Sequence, residues 1–225
     1  MARTYPMNDH STQSAGRPTG VIRKAMMDDL PGIVNIHQRA FSHFFLTRLG
    51  GAFLRRYYEL TLHYQSGILL VSEWPGGLDG FACGFLNPAE FYALMWRKRG
   101  DFVLPVLSGL ARHPCLAAGV MQGVQKIQSS ASRVPGRFCE LSSIAVAPEA
   151  GGSRLGKTLV QAFLAQAWSM DAQRVYLTTD ADGNEIANAP DIKNHLVRPL
   201  FKEPPAEKSN HRLPVLLRRS GSVNE

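Results

Sequence analysis

One segment constrains the fold and the chemistry of this chain more than any other. It runs from Glu140 to Val160 and reads ELSSIAVAPEAGGSRLGKTLV. The apolar residues up to Val146 predict a strand, the glycine-containing residues after it a loop, and the residues from Gly156 a helix. A loop that leads into a helix N-terminus presents unpaired backbone N–H groups and the positive end of the helix dipole. The segment therefore predicts an anion site, most naturally for phosphate.

Three interpretations of this segment compete, and the first is a nucleotide-binding P-loop. Residues 151–158 match the nucleotide-binding P-loop pattern G-x-x-x-x-G-K-[ST], and a strand and a helix flank them as that pattern requires. However, the chain after Thr158 is too short for the remaining βαβ units of a parallel nucleotide-binding sheet. A tight turn that binds no ligand is the second interpretation.

The same segment resembles the acyl-CoA-binding motif of the GNAT-type N-acetyltransferases, in which a strand ending V-x-P-E precedes a loop R-x-x-G-x-G/A and a helix. Residues 179–189 look like the second cofactor segment of that family, N-x-x-A-x-x-[LF]-Y, and residues 40–50 are similar to a bacterial subgroup of acetyltransferases. The resemblance implies that acetyl-CoA or another acyl-CoA binds to a set of backbone and side-chain groups: Ile144, Ala145, Val146, Gly151, Gly152, Ser153, Arg154, Leu155, Gly156, Lys157, Thr158, Asn184 and Asn188.

The order of predicted elements agrees with this resemblance from residue 21 to residue 189. Apolar periodicity and turn residues predict a strand, two helices, a hairpin, a helical insertion over 88–129, a central strand, the phosphate loop, a helix, a strand and a further helix. We therefore expect an α+β fold with three α/β/α layers, in which helices flank a mixed, mostly antiparallel central sheet. We expect a disordered arm over 1–20 and an irregular, proline-rich, basic tail over 190–225.

The chemistry of the implied reaction singles out Glu140. An amine is mostly ammonium at neutral pH and has to lose a proton before it attacks a thioester. A carboxylate within one water of the amine can accept that proton, and the family's base-bearing strand often carries Glu at this point. A surface carboxylate or a salt-bridge partner is the alternative role for Glu140. Backbone N–H groups around Ala145 and Val146 are implied to bind the thioester, which needs only compact apolar side chains there.

The sequence departs from the family pattern in three places. Gly151 replaces the loop's Arg or Gln, and Arg154 replaces its first Gly. Two consequences of Arg154 are open: its charge can contact a phosphate, or its side chain can weaken cofactor binding where the backbone approaches the pyrophosphate. Pro190 and Asp191 stand where the family has its aromatic or leucine residue and the tyrosine that protonates the CoA thiolate. The tail is therefore divergent, and a frameshift is one explanation; a short edge strand over 213–217 is the regular element that its pattern still allows. A catalytically weakened CoA-binding or regulatory protein is the second functional hypothesis.

Composition narrows the class of protein further. The 225 residues carry a net charge of +7, which suits a phosphate-bearing ligand, and no nucleic-acid-binding motif is recognisable. Three widely spaced cysteines indicate buried, reduced thiols and a cytoplasmic protein. The polar first 20 residues lack the apolar core of a secretory signal. Prolines and charges interrupt residues 102–121, so we expect no membrane span. We also expect no metal site.

The acceptor is the least constrained part of the prediction. We expect Phe44, Phe45 and the helical insertion to line its pocket, which favours a small amine over a protein substrate. An exposed sheet edge in the tail would favour a homodimer.

Overall fold

The chain folds into helices on both faces of a β-sheet, because alternate residues of its strands are buried on opposite faces. A computed structural model describes residues 20–117, 120–121, 137–151, 154–180 and 212–218. The helices are α1 Leu30–Ala40, α2 Phe45–Arg48, α3 Gly51–His63, α4 Pro88–Arg97, α5 Gly100–Arg112 and α6 Leu155–Ser169. The strands are β1 Val21–Lys24, β2 Gly67–Trp74, β3 Gly77–Leu86, β4 Phe138–Val146, β5 Arg174–Asp180 and β6 Arg212–Arg218.

These strands form one six-stranded sheet in the order β1-β2-β3-β4-β5-β6. Every neighbouring pair is antiparallel except β4 and β5, which are parallel because α6 connects them. This arrangement confirms the mixed, mostly antiparallel sheet that the sequence predicts. It does not fit a P-loop enzyme, whose sheet is built from parallel strands.

A separate hydrophobic core lies on each face of the sheet. Leu69 and Val71 of β2 point into the core that α1, α3, α4 and α5 cover, whereas Ile68 and Leu70 point into the core that α6 covers. Because successive side chains of a strand point to opposite faces, a strand buried on both sides reads as the continuous apolar run seen here. The three layers agree with the predicted architecture.

The helical insertion differs in detail from the prediction. A proline inside an apolar helical pattern indicates a helix boundary, yet Pro105 lies inside α5, and the break between α4 and α5 falls at residues 98–99. A proline removes one backbone hydrogen bond, and packing can outweigh that loss. In α5 the packing is provided by Phe102, which contacts Phe53 of α3. The predicted insertion ends at residue 129, and its last part lies outside the described residues.

The described part of the tail is regular, and it lies where the sequence still allows a short edge strand. Residues 212–218 form β6, which pairs with β5 along its whole length. Among the described strands, β6 lies at the edge of the sheet, and a proline such as Pro214 is tolerated there because one side of the backbone needs no partner. The short edge strand expected over 213–217 is therefore confirmed. The rest of the tail and the predicted arm over 1–19 lie outside the described residues.

Close packing of a glycine on β3 against β4 and α6 leads to a prediction about stability. A Cβ atom at Gly84 would lie 2.1 Å from the carbonyl oxygen of Glu140 and 2.5 Å from the ring of Phe163. Both neighbours are held by buried structure, so the substitution Gly84→Ala is expected to lower the free energy of unfolding by about 3 kcal/mol. Urea denaturation would measure this loss. Gly100→Ala is the control, because nothing lies within 4 Å of a Cβ there; similar stability of the two variants would contradict the packing argument.

Candidate functional site

The parallel pair β4–β5 separates partway along its length. Its register runs from Phe138 opposite Arg174 to Leu141 opposite Leu177, but β4 continues to Val146 and β5 to Asp180. Beyond Leu141, the edge of β4 that faces away from β3 is not paired with β5. The two strands therefore enclose a gap whose wall offers backbone N–H and C=O groups to a ligand.

A β-bulge lies at the point where the two strands separate. Cys83 of β3 pairs with Ser143 and Gly84 with Leu141, so Ser142 is an extra residue in β4. The bulge turns Ser142 toward α3, where its hydroxyl group is hydrogen bonded to that of Tyr57, the neighbour of Tyr58. Burial raises the pKa of both tyrosines well above its usual value, so both phenols stay protonated.

Glu140 lies just before the bulge and is 4 % exposed. The hydroxyl groups of Tyr92 and Tyr176 donate to its two carboxylate oxygens, each over 2.9 Å. Tyr176 is the direct register partner of Glu140 on β5, and Tyr92 comes from α4 of the helical insertion. Burial, together with the charge of Glu140, raises the pKa of both tyrosines, so the two phenols are neutral donors. Glu140 is thus a buried, oriented carboxylate, and the surface role weighed for it is wrong.

The predicted phosphate loop occupies the far end of the gap. After β4, a turn of 3-10 helix over Pro148–Ala150 leads through Gly151 to Arg154, the residue that precedes the first turn of α6. This first turn has no acidic residue, and Arg154, Lys157 and Thr158 are exposed there. Gly152, Ser153, Asn184 and Asn188 lie outside the described residues. The described part is a helix N-terminus with two cations beside it, which favours an anionic ligand.

The apolar residues of β4 that were singled out use their side chains for packing. Ile144 and Val146 contact the core under α6, where Leu155 is buried, and Ala145 belongs to the opposite core. The side chains therefore leave the gap to the backbone, as recognition through main-chain groups requires.

Phe44 and Phe45 are the residues expected to line the acceptor pocket. They stand at the start of α2, where Phe44 contacts the ring of Phe41 and Phe45 packs against the core beneath α1 and α3. Both are half-buried. Their role in acceptor binding stays a prediction.

Sequence reasoning missed four hydroxyl-bearing residues that the fold brings to this site: Ser142, Tyr57, Tyr92 and Tyr176. A signal existed for Tyr176, because β4 and β5 were predicted as strands on either side of one helix, which makes them parallel neighbours. No signal existed for Tyr92, whose position depends on how α4 packs on the sheet.

His37 of α1 is a packed core residue. Its ring is 3 % exposed, lies edge-on to Phe41 and Tyr58, and is joined to the Tyr58 hydroxyl through Nδ1. Burial lowers the pKa of His37 to about 4. Between its unfolded pKa and about 4, the unfolded chain therefore binds a proton that the folded chain does not.

This difference predicts acid sensitivity that depends on His37. Its contribution to the free energy of unfolding should fall by about 2 kcal/mol between pH 7 and about pH 5, since stability is lost as pH drops below the unfolded pKa. Urea denaturation of wild type and His37→Gln at both pH values would measure it: the wild type should lose more stability than the variant. His63→Gln, at an exposed site on α3, should follow the wild type. Parallel losses in wild type and His37→Gln would contradict the prediction.

The remaining chemistry-bearing groups add little to the site. Cys83 and Cys139 are buried with pKa values raised to about 12 by burial, and Cys115 is exposed, against the expectation that all three are buried. Within the described residues, no cluster of three or more His, Cys, Asp or Glu side chains is arranged to hold a metal ion. In the same part of the chain, the helices are too short or too polar to cross a membrane.

The family follows from a comparison with family models. Residues 31–189 match the model described as the acetyltransferase (GNAT) family. This match covers more than half of the chain, so the chain belongs to the GNAT acetyltransferases. The nucleotide-binding interpretation of residues 151–158 has no support from the family or from the sheet.

Solved structures agree with this fold. A histone acetyltransferase HPA2-related protein from Corynebacterium glutamicum is 17 % identical with a TM-score of 0.51, over 92 % of this chain and 99 % of that one. The ribosomal-protein-S18-alanine N-acetyltransferase of Escherichia coli is 13 % identical with a TM-score of 0.52, over the same shares. A further acetyltransferase structure is 21 % identical with a TM-score of 0.53, over 88 % of this chain and 98 % of that one. At these identities the likeness shows the fold. No curated protein matches the sequence significantly.

Proposed function

We propose that this protein transfers an acetyl or related acyl group from acyl-CoA to the amine of a small molecule, with Glu140 as the base. The observation that supports this most is the gap between β4 and β5, which has a buried carboxylate at its closed end and a basic helix N-terminus at its open end. Six residues of strand separate Glu140 from Val146, about 20 Å at ~3.3 Å per residue. This distance suits an extended ligand with an anionic group at one end and a reactive group at the other.

The phosphates of the acyl donor are assigned to the loop from Gly151 to Thr158. Backbone N–H groups in the first turn of α6 would bind them, with Arg154 and Lys157 as countercharges. Asn184 and Asn188, from the second cofactor segment, are part of the same proposal. The backbone of residues 144–146 would hold the acyl arm and donate to the thioester oxygen as negative charge develops there.

The cluster around Glu140 would accept the proton of the acceptor's ammonium group. The acceptor arrives as an ammonium ion, loses a proton toward Glu140, and attacks the thioester carbon as a neutral amine. The C–S bond then breaks, and CoA leaves as a thiolate without a dedicated acid, since a thiol has a reference pKa of about 8.5. This matters because no tyrosine follows Tyr176 in the sequence. The thiolate takes up the second proton of the nitrogen, which leaves a neutral amide.

The acceptor is proposed to be small. Tyr92 brings the helical insertion directly onto Glu140, so α4 covers the base on one side. A covered base leaves narrow access, which favours a small amine over a protein chain. Reaction in the cytoplasm is part of the same proposal, since all three cysteines are free.

Calorimetric titration with acetyl-CoA, and with ATP plus magnesium as the control, tests the donor site. Release of free thiol from acetyl-CoA then tests turnover with a panel of acceptors: alkylamines, an amino sugar, a lysine peptide and a peptide with an N-terminal alanine. Acetyl-CoA binding, no ATP binding, and turnover of at least one small amine are expected. Turnover of the peptides alone would contradict the small-molecule acceptor.

The departures from the family pattern favour a second candidate function, that of a CoA-binding or regulatory protein without turnover. The specific observation in its favour is Pro190-Asp191 in place of the family's tyrosine segment. Tight acetyl-CoA binding without thiol release from any acceptor would favour this function over the transferase.

A further inference from the structure

The two tyrosines that hold Glu140 are not equivalent. Tyr92 is 9 % exposed and packs inside the core beneath the insertion, with its ring against Phe85 and Phe91. Tyr176 is half-buried and lies on β5, one residue before the last residue paired with β4. An amine that enters the gap between the strands therefore meets the Tyr176 hydroxyl before it can reach Glu140.

The hydroxyl group of Tyr176 can donate one hydrogen bond and accept another at the same time. Its proton is donated to Glu140 Oε2 over 2.9 Å, and the oxygen retains lone pairs that can accept from a second donor. Glu140 itself is 4 % exposed, so direct contact between its carboxylate and an incoming amine would require the cluster to open. A hydroxyl placed between the amine and the carboxylate removes that requirement.

We propose that Tyr176 relays the amine proton to Glu140, an inference that rests on the proposed function. One N–H bond of the ammonium group breaks as its proton moves to Tyr176 Oη, and the phenolic proton moves to Glu140 Oε2. The amine becomes neutral, Tyr176 remains a neutral phenol, and Glu140 becomes a carboxylic acid. After the amine attacks, its second proton leaves with the CoA sulfur, and Glu140 returns its proton to solvent through Tyr176.

The strongly raised pKa of Tyr176 supports this path. Burial and the neighbouring charge of Glu140 keep the phenol protonated. A relay that exchanges one proton for another never forms the tyrosinate that this environment disfavours. Tyr92 shares the high pKa, but its packed position gives an amine no approach.

The test compares Tyr176→Phe with the matched control Tyr92→Phe, since each removes one hydrogen bond to Glu140. The acceptors are the best alkylamine of the panel and its analogue with fluorine atoms on the carbon next to the amine-bearing carbon. Fluorine withdraws electrons, so this analogue is largely neutral at neutral pH and has no proton to lose before attack. Each variant is compared with wild type on the same amine, which cancels the difference in nucleophilicity.

Tyr176→Phe should lower kcat for the ordinary amine by about 100-fold or more, the scale of general acid–base catalysis, with KM little changed. Its kcat for the fluorinated amine should stay within about 5-fold of wild type. Tyr92→Phe, which removes one of the two hydrogen bonds on Glu140 but leaves the proton path in place, should lower kcat for the ordinary amine by about 10-fold at most. Equal losses of Tyr176→Phe on both amines, or an equal loss in Tyr92→Phe, would overturn the relay and leave the tyrosines as positioning residues. If wild type acetylates none of the amines, the proposed function fails instead, and the relay fails with it.

Discussion

Replacing Glu140 with glutamine should lower kcat by about 10²- to 10⁴-fold on an alkylamine, while acetyl-CoA binds as tightly as it does to wild type. Glutamine has nearly the same shape and keeps an oxygen that can accept from a tyrosine, but it cannot take a proton at neutral pH. The acyl donor is proposed to bind through the backbone of β4 and the start of α6, which this change does not touch. Steady-state thiol release gives kcat, and calorimetry gives the affinity for acetyl-CoA.

Glu90→Gln is the matched control for this experiment. Glu90 also accepts a hydrogen bond from a tyrosine, Tyr64, over 3.3 Å, but it is exposed on α4. Its replacement should leave kcat within about 2-fold of wild type, as expected for a surface group away from the gap. Thermal unfolding of both variants checks that the fold survives. If Glu140→Gln kept wild-type kcat, Glu140 would only anchor Tyr92 and Tyr176, and the base would have to be sought elsewhere.

The sequence predicted the framework of this site because its signals are local. The apolar run before Pro148, the glycines after it and the helical periodicity from Leu155 depend only on neighbouring residues. The structure has β4 ending at Val146 and α6 beginning at Leu155, within two residues of the prediction. Local periodicity also explains why the hairpin of β2 and β3 was predictable.

The chemistry around Glu140 was harder to predict because it is assembled from distant parts of the chain. Tyr57 lies 85 residues from Ser142, and Tyr92 lies 48 residues from Glu140. The β-bulge that turns Ser142 toward Tyr57 leaves no mark in an apolar strand pattern. Such contacts depend on tertiary packing, which periodicity does not encode.

The tail shows that the weight of a local signal depends on the topology around it. Its five prolines argue against regular structure, and over most of positions 190–225 that expectation stays untested. At Pro214, however, the effect of a proline depends on whether its strand has one neighbour or two. The position of β6 at the edge of the sheet decides this, and it becomes known only from the topology.

Replacing Gly156 with aspartate should separate the effect of the phosphate site on stability from its effect on binding. Gly156 is the second residue of α6 and is half-buried. Among the described residues, a Cβ atom added there would meet the Val146 side chain, 3.7 Å away, and nothing closer. A carboxylate in a first helical turn interacts favourably with the helix dipole, and losing a glycine reduces the entropy of the unfolded chain. The melting temperature should therefore stay the same or rise.

Binding of acetyl-CoA should change in the opposite direction. A carboxylate about 4 Å from a phosphate costs about 4 kcal/mol at an effective dielectric constant of 20, or roughly a thousandfold in affinity. Gly156→Ala, which adds bulk without charge, should weaken binding less. Gly100→Asp places the same charge at the start of α5, where a Cβ meets open space, and should leave the affinity unchanged. Calorimetric titration of the three variants measures these differences. If Gly156→Asp bound acetyl-CoA as wild type does, the turn between β4 and α6 would be a structural connection, and the phosphates would have to bind elsewhere.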